Sequence, residues 1–211
     1  MVRALHIMIM NKIEWIFFDL DGTLVNNIRL LHSAYLNFLN DYGIKGNKKE
    51  FERLNGPSLT EIIYILKKKY DLKESYKKLL KNYQQKILLA YKKARPIKHS
   101  TKLLKTLNDN NYKLALVTSS SRNLAKIIIK QCHWEKFFKC YVFGNEIEKS
   151  KPHPYIYKLC LKKANTTTNH VLVIEDSKNG YKSATKASLK CILLNKKVKL
   201  HHIIKILNRY D

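Results

Sequence analysis

Short, almost wholly apolar runs alternate along this chain with longer stretches in which apolar residues recur every three or four positions. The short runs are "IEWIFF" (13–18), "YKLALVT" (112–118), "CYVFG" (140–144), "HVLVIE" (170–175) and "KCILL" (190–194). They are too short for helices, and their continuous apolar character predicts strands of a parallel sheet covered on both faces. Helical spacing occupies 100–110, 121–133, 154–164 and 179–187. Regular strand–helix alternation predicts an α/β fold, a doubly wound, Rossmann-like parallel sheet.

One segment breaks the alternation. Between Ile28 and Lys93 no strand pattern occurs, whereas "LLHSAYLNFLNDYG", "SLTEIIYILKKKY" and "ESYKKLLKNYQQKILLAYKKA" all carry the helical period. Gly43 and Gly46 separate the first two. The expected organisation is therefore a discontinuous core, residues 1–27 and 95–211, with a small helical cap domain, 28–94, inserted after the first strand. The chain would leave the core at Val25–Ile28 and return at Ala94–Ile97, where Pro96 suits the end of a helix. The stretch "ALHIMIM" reads as an extension before the first strand, not a signal peptide, because it has one preceding basic residue (Arg3) and no small-residue cleavage site. Met8 and Met10 are further candidate starts.

In open α/β sheets ligands bind beyond the carboxyl ends of the strands. The first run ends in Asp19, Asp21, Gly22 and Thr23, and the second in Thr118 and Ser119–Ser121. Lys151, in "KSKPHP", precedes the helix after the third run, and Glu175 and Asp176 end the fourth. Carboxylates are the hard oxygen ligands Mg²⁺ takes, and Asp19 with Glu175 and Asp176 would supply them. A carboxylate is also a competent nucleophile at phosphorus, and a second one nearby can move protons. Asp19 and Asp21, one residue apart, share a face in extended chain. Gly22 permits a tight turn where Thr23 can donate hydrogen bonds. The hydroxyl-rich turn opens a helix whose N–H groups suit an anion, and Lys151 adds a compact positive charge.

Composition narrows the classes. A chain of 211 residues with 45% hydrophobic residues can bury a proper core, and no apolar run reaches the roughly 20 residues of a membrane span. Cys132, Cys140, Cys160 and Cys191 are widely spaced with no CxxC pair, which reads as free thiols in a reducing, cytoplasmic setting. The formal charge of +25 raises the question of a nucleic-acid partner. The excess is nearly all lysine, dispersed over predicted helix faces, whereas nucleic-acid readers mix in bidentate arginines. Coding bias is the better account, although the field would still attract phosphorylated molecules. The histidines lack metal-ligand spacing, and Tyr64, Tyr70 and Tyr83 read as cap core or surface instead of a base-stacking platform.

"DLDGTLV", "VTSSS", "SKPHPYIY" and "VIEDSKNGYKSA" resemble, in order, the four motifs of the haloacid dehalogenase superfamily, specifically the subfamily with a helical cap after the first motif. That group includes β-phosphoglucomutases, phosphoglycolate phosphatases and sugar-phosphate phosphatases, and the resemblance covers essentially the whole chain. It implies Asp19 as nucleophile and Mg²⁺ ligand, and Asp21 as general acid/base whose backbone carbonyl also reaches the metal. It further implies Ser119 as phosphate ligand (Thr118 being the alternative by one register), Lys151 as the third-motif lysine, and Glu175 and Asp176 as metal ligands.

Three positions depart from the family pattern. Asn26 and Asn27 follow the first motif where relatives have "DS", and Asn can still cap the first cap helix. Ser188 stands where relatives tend to have a glycine before the last strand. Leu59, in "LNGPSL", stands where β-phosphoglucomutases have the arginine that grips a second phosphate, and Arg53 or a lysine nearby could replace it.

The expected function is Mg²⁺-dependent hydrolysis of a small phosphorylated metabolite, such as a sugar phosphate or phosphoglycolate, through an aspartyl-phosphate. The expected enzyme is a monomer or weak dimer with no membrane or nucleic-acid partner. A β-phosphoglucomutase-like phosphomutase is the alternative within the enzymes, and a nucleic-acid-binding protein on the same scaffold the alternative outside them. Dehalogenation fits less well, because the second aspartate and the metal-site acids suit phosphoryl chemistry.

Overall fold

Each apolar run expected to be a strand is one in the computed structural model, which describes residues 12–208. The strands are β1 (Trp15–Phe18), β2 (Lys113–Thr118), β3 (Phe138–Phe143), β4 (Val171–Glu175) and β5 (Lys190–Leu193). The expected N-terminal extension with Arg3, Met8 and Met10 lies outside the described residues. The five strands form one sheet in the order β3-β2-β1-β4-β5, with every pair parallel.

Alternate side chains of the strands enter two separate cores. Ile16, Phe18, Leu114, Leu116, Leu172 and Ile174 point into one. Phe17, Ala115, Val117, Val142, Val171 and Val173 point into the other. Burial on both faces is why these runs show no polar alternation. β5 departs from this: it is an edge strand, with Lys190 exposed and its other residues half-buried.

The core helices are α5 (Ser100–Asp109), α6 (Arg122–Gln131), α7 (Tyr155–Ala164) and α8 (Lys178–Lys186). A last short helix, α9 (Ile203–Leu207), lies in a segment for which the sequence pattern predicted no element; it buries Ile203 and Leu207 in the first core. Ser188 keeps the turn that a glycine would favour by adopting φ 60°. A left-handed conformation in a non-glycine residue costs roughly 1–2 kcal/mol.

Between β1 and α5 lie four helices, not three: α1 (Ile28–Asn40), α2 (Lys48–Leu54), α3 (Leu59–Tyr70) and α4 (Tyr76–Lys93). α2 escapes the periodicity because it spans two turns and its apolar residues are only Phe51 and Leu54. Its anchor is polar. Glu50 is buried and accepts hydrogen bonds from the hydroxyls of Tyr35 (α1) and Tyr70 (α3) and from Lys69. Tyr70 is thus part of the helix packing, Tyr83 is buried and Tyr64 is exposed. The two connections to the sheet run side by side: Asn26 donates to the Arg95 carbonyl (2.9 Å) and Ile97 to that of Leu24 (2.9 Å).

Candidate active site

β1 and β4 are adjacent at the centre of the sheet, where the strand order reverses, so their carboxyl ends open the crevice in which α/β sheets bind ligands. The Asp19 N–H donates to the Ile174 carbonyl at 3.1 Å, which fixes one strand end against the other. Three carboxylates meet here. One oxygen each from Asp19, Glu175 and Asp176 lies within 4.8 Å of the others.

Lys151 is 2% exposed and bridges this cluster. Its ammonium donates to Asp19 Oδ1 and to Glu175 Oε1, both at 2.6 Å, and to the Val117 carbonyl at 3.3 Å. Glu175 is fully buried and also accepts from the Tyr157 hydroxyl at 2.8 Å and the Ser177 hydroxyl at 3.2 Å. Two glycines make room for the acids. A Cβ on Gly22, which has φ +83°, would sit 2.1 Å from Asp176 Oδ2, and one on Gly180 would sit 1.9 Å from Glu175 Oε1. Thr23 donates to Asp176 at 3.3 Å, as its place in the turn suggested.

Three acids against one ammonium leave the cluster short of positive charge. Burial, followed by repulsion from Glu175, holds the Asp19 carboxyl well above the usual carboxylate range. The same two causes push Asp176 up to about 7. Burial alone would lower the Lys151 ammonium, but Asp19 and Glu175 outweigh it and hold its pKa above the ordinary lysine value. The donor set is hard oxygen and the charge deficit suits a divalent cation, so these residues fit the metal that hydrolases of the resembling family generally use.

A pH-dependent stability follows. Because Asp19 and Asp176 bind protons more tightly folded than unfolded, their contribution is complete below the unfolded value and is lost as pH rises toward the folded one. Metal-free protein should therefore melt at a lower temperature at pH 7.5 than at pH 5. Mg²⁺ should raise the melting temperature more at the higher pH, by about 2.7 kcal/mol of apparent stability at about 100 times Kd. Thermal melts at the two pH values with and without Mg²⁺ check this.

Asp21 lines the same cavity as Asp19, but its carboxylate stands apart from the three-acid cluster. It accepts from the Tyr91 hydroxyl at 2.6 and 2.7 Å, from Ser120 at 2.8 Å and from the Asn27 amide. Asn27 was expected to cap α1. It occupies the N-cap position but makes no side-chain cap bond: its amide N–H₂ donates to Asp21, and its Oδ1, the atom a cap would use, is buried without a hydrogen-bond partner. Sequence reading missed Tyr91 and Tyr157, and placed Ser120 at the strand end without giving it a partner. For Tyr91 there was a signal: it continues the buried stripe Leu79, Tyr83 and Ile87 to the end of α4, where a buried hydroxyl needs a partner.

The hydroxyl-rich turn is divided in use. Thr118 is buried at the end of β2 and accepts from the Ser120 N–H at 3.1 Å. Ser119 also lines the cavity, but its hydroxyl donates to the Gly56 carbonyl in the loop between α2 and α3. Ser121 occupies the N-cap position of α6 without a side-chain cap bond. The loop 55–58 is held to α8 and to the loop before α7 by two further contacts. Asn179 of α8 donates to the Asn55 carbonyl at 2.7 Å, and the Ser58 N–H donates to Ser150 at 2.9 Å.

The cavity these groups enclose is about 250 Å³, with the acids and Lys151 at its floor and α1–α4 supplying its roof. Leu59 lines it. Arg53, considered as a replacement for the missing cap arginine, lines a different cavity beside Glu50 and Lys69. The four cysteines are free thiols, Cys140 and Cys160 buried and Cys132 and Cys191 half-buried. Among the described residues no helix is long and apolar enough to cross a membrane.

Comparison with known proteins agrees with this arrangement. The sequence profile of the family described as haloacid dehalogenase-like hydrolase matches residues 16–194. The chain is 30% identical, over 85% of its length and 83% of the relative's, to a phosphorylated carbohydrates phosphatase of Thermotoga maritima. It is 27% identical, over 85% of its length and 82% of the relative's, to the pyrophosphatase PpaX of Bacillus pumilus. The crystal structure of a β-phosphoglucomutase from Clostridium difficile shares the fold, with a TM-score of 0.79 at 19% identity over 94% of this chain and 98% of that one. With its motifs on the ends of a parallel sheet and its sequence matched from β1 to the end of β5, the chain belongs to the haloacid dehalogenase-like hydrolase family and is an enzyme of phosphatase type.

Proposed function

We propose that the protein hydrolyses a small phosphate monoester, with Mg²⁺, through a phosphorylated Asp19. The observation that carries this is the buried Asp19–Lys151–Glu175 bridge, with Asp176 beside it and Asp21 held separately. Asp19, Glu175 and Asp176 would hold the metal, with the Asp21 carbonyl as a further ligand; when bound, it neutralises charge on the phosphoryl oxygens.

Lys151 and the N-terminal end of α6 would receive the phosphate. Of the two candidate hydroxyls, Thr118 is the better placed, because Ser119 is engaged by Gly56. Asp19 attacks phosphorus, forming an O–P bond while the bond to the ester oxygen breaks. Asp21 delivers its proton to that oxygen, and the alcohol leaves. Water then attacks phosphorus, its proton passes to Asp21, and the Asp19–phosphorus bond breaks to release inorganic phosphate. The inserted helices α1–α4 act as a cap that excludes bulk water during these steps.

Leu59 in the cavity wall, with Arg53 elsewhere, favours hydrolysis over a phosphomutase that must hold a bisphosphate. The test is release of p-nitrophenol from p-nitrophenyl phosphate. Activity should vanish on chelation and return with Mg²⁺, and an inactive metal-loaded protein would overturn the proposal.

Within this mechanism Tyr91 is a positioning residue for Asp21. Tyr91→Phe should lower kcat/KM for an alkyl phosphate by about 10- to 100-fold, in keeping with loss of one hydrogen bond to a charged group. The effect on p-nitrophenyl phosphate, whose leaving group needs little protonation, should be several-fold smaller. Equal losses on both esters would mean a general structural defect.

A further inference from the structure

The cavity roof has a composition that the phosphate-binding floor does not require. Leu31, Phe51, Leu54, Leu59, Ile62 and Ile87 line it, contributed by all four inserted helices. In a chain with +25 formal charge, Lys151 at the floor is the only cation among the described lining residues, and it is already paired with two carboxylates. None of the lining residues from α1–α4 or their loops is charged.

Most of the roof's polar atoms have protein partners. The Ser58 and Thr60 hydroxyls bond to each other, the Asn55 carbonyl accepts from Asn179, and Tyr91 is held by Asp21. Asn55, Tyr83 and Gln84 remain, and all three are uncharged.

A substrate bearing a second anion would bring that charge into a wall with nothing to pair it. A hexose would lose water from several hydroxyls and regain few hydrogen bonds. A hydrocarbon group loses nothing there and gains burial. We propose that the alcohol half of the substrate is uncharged and mainly hydrocarbon, so that this enzyme is a phosphatase of alkyl- or aryl-type monophosphates. It would therefore not act chiefly on bisphosphates, pyrophosphate, phosphoglycolate or hydroxyl-rich sugar phosphates. This rests on the monoester-hydrolase reading above.

The experiment compares kcat/KM for Mg²⁺-loaded enzyme across esters of primary alcohols, whose intrinsic leaving-group reactivities are similar. The series is ethyl, butyl and hexyl phosphate, with glucose 6-phosphate, phosphoglycolate and pyrophosphate alongside. The expected result is a rise of roughly threefold per methylene up to the size of the cavity, with butyl phosphate at least about tenfold above all three polar substrates. Leu59→Arg should invert the order, lowering butyl phosphate and raising phosphoglycolate, while p-nitrophenyl phosphate remains a substrate.

A flat alkyl series, or glucose 6-phosphate, phosphoglycolate or pyrophosphate turned over faster than butyl phosphate, overturns the assignment of the leaving group alone. Failure to hydrolyse p-nitrophenyl phosphate and every ester overturns the hydrolase reading and this inference with it.

Discussion

Asp19→Asn removes turnover: kcat/KM for p-nitrophenyl phosphate should fall by about four orders of magnitude, roughly 5.5 kcal/mol of transition-state stabilisation. The size of the effect follows from covalent chemistry. An amide oxygen is a poor nucleophile toward phosphorus, and no other described carboxylate takes Asp19's place beside Lys151 at the end of β1. Glu175 is fully buried and bonded by Lys151, Tyr157 and Ser177, whereas Asp21 is turned to Tyr91, Ser120 and Asn27.

The substitution is close to isosteric and removes one of three mutually repelling acids, so the metal-free protein should melt no lower than the parent. Stability retained with activity lost would separate a chemical defect from a folding one. Activity retained within tenfold would exclude Asp19 as nucleophile. Acid quench of the parent enzyme during turnover of labelled phosphate ester should trap protein-bound phosphate, and the variant should trap none.

Lys151→Met damages both stability and rate. The methionine fills similar volume, but it leaves Asp19 and Glu175 buried without the ammonium that lies 2.6 Å from each. Breaking a buried ion pair by removing one partner costs about 3–5 kcal/mol, because the remaining charge is uncompensated. Protonation relieves that cost, so the variant should lose most melting temperature at pH 7.5 and much less at pH 5. Mg²⁺ should restore part of the loss. Turnover should fall by about 10²–10³ even with the metal present, as expected for removal of a fixed charge beside a reacting phosphoryl group. Equal destabilisation at both pH values would mean that packing, not charge, is the function of Lys151. Lys151→Arg tests the same point, since the wider guanidinium does not fit a site built around a point charge.

How much of this could be read along the chain depends on the range of the interaction concerned. The first four strands were legible because each lies between two apolar layers, and that requirement is written into consecutive residues. α2 was not legible, because its place is secured by one buried glutamate whose partners lie 15, 19 and 20 residues away. The acids stood out because they directly follow apolar strands, and Lys151 because it directly precedes Pro152, with Pro154 following. Tyr91, 70 residues from the carboxylate it holds, sits in a helix where tyrosine is equally at home in the core. Asn27 suited a helix cap by local rules, but its amide is turned to the Asp21 carboxylate, six residues back in the chain, and its Oδ1 caps no helix N–H.

The sequence by itself determined the α/β layers, the insertion after the first strand and the family. Burial periodicity and motif order are local properties, and local properties survive in one dimension. Only the tertiary structure decided that Ser119 faces Gly56, that Asp21 is held away from the three-acid cluster, and that the cavity roof is uncharged in so basic a chain. These outcomes depend on which distant groups compete for the same donor or enclose the same space, and such competition exists only once the helices have packed over the strand ends.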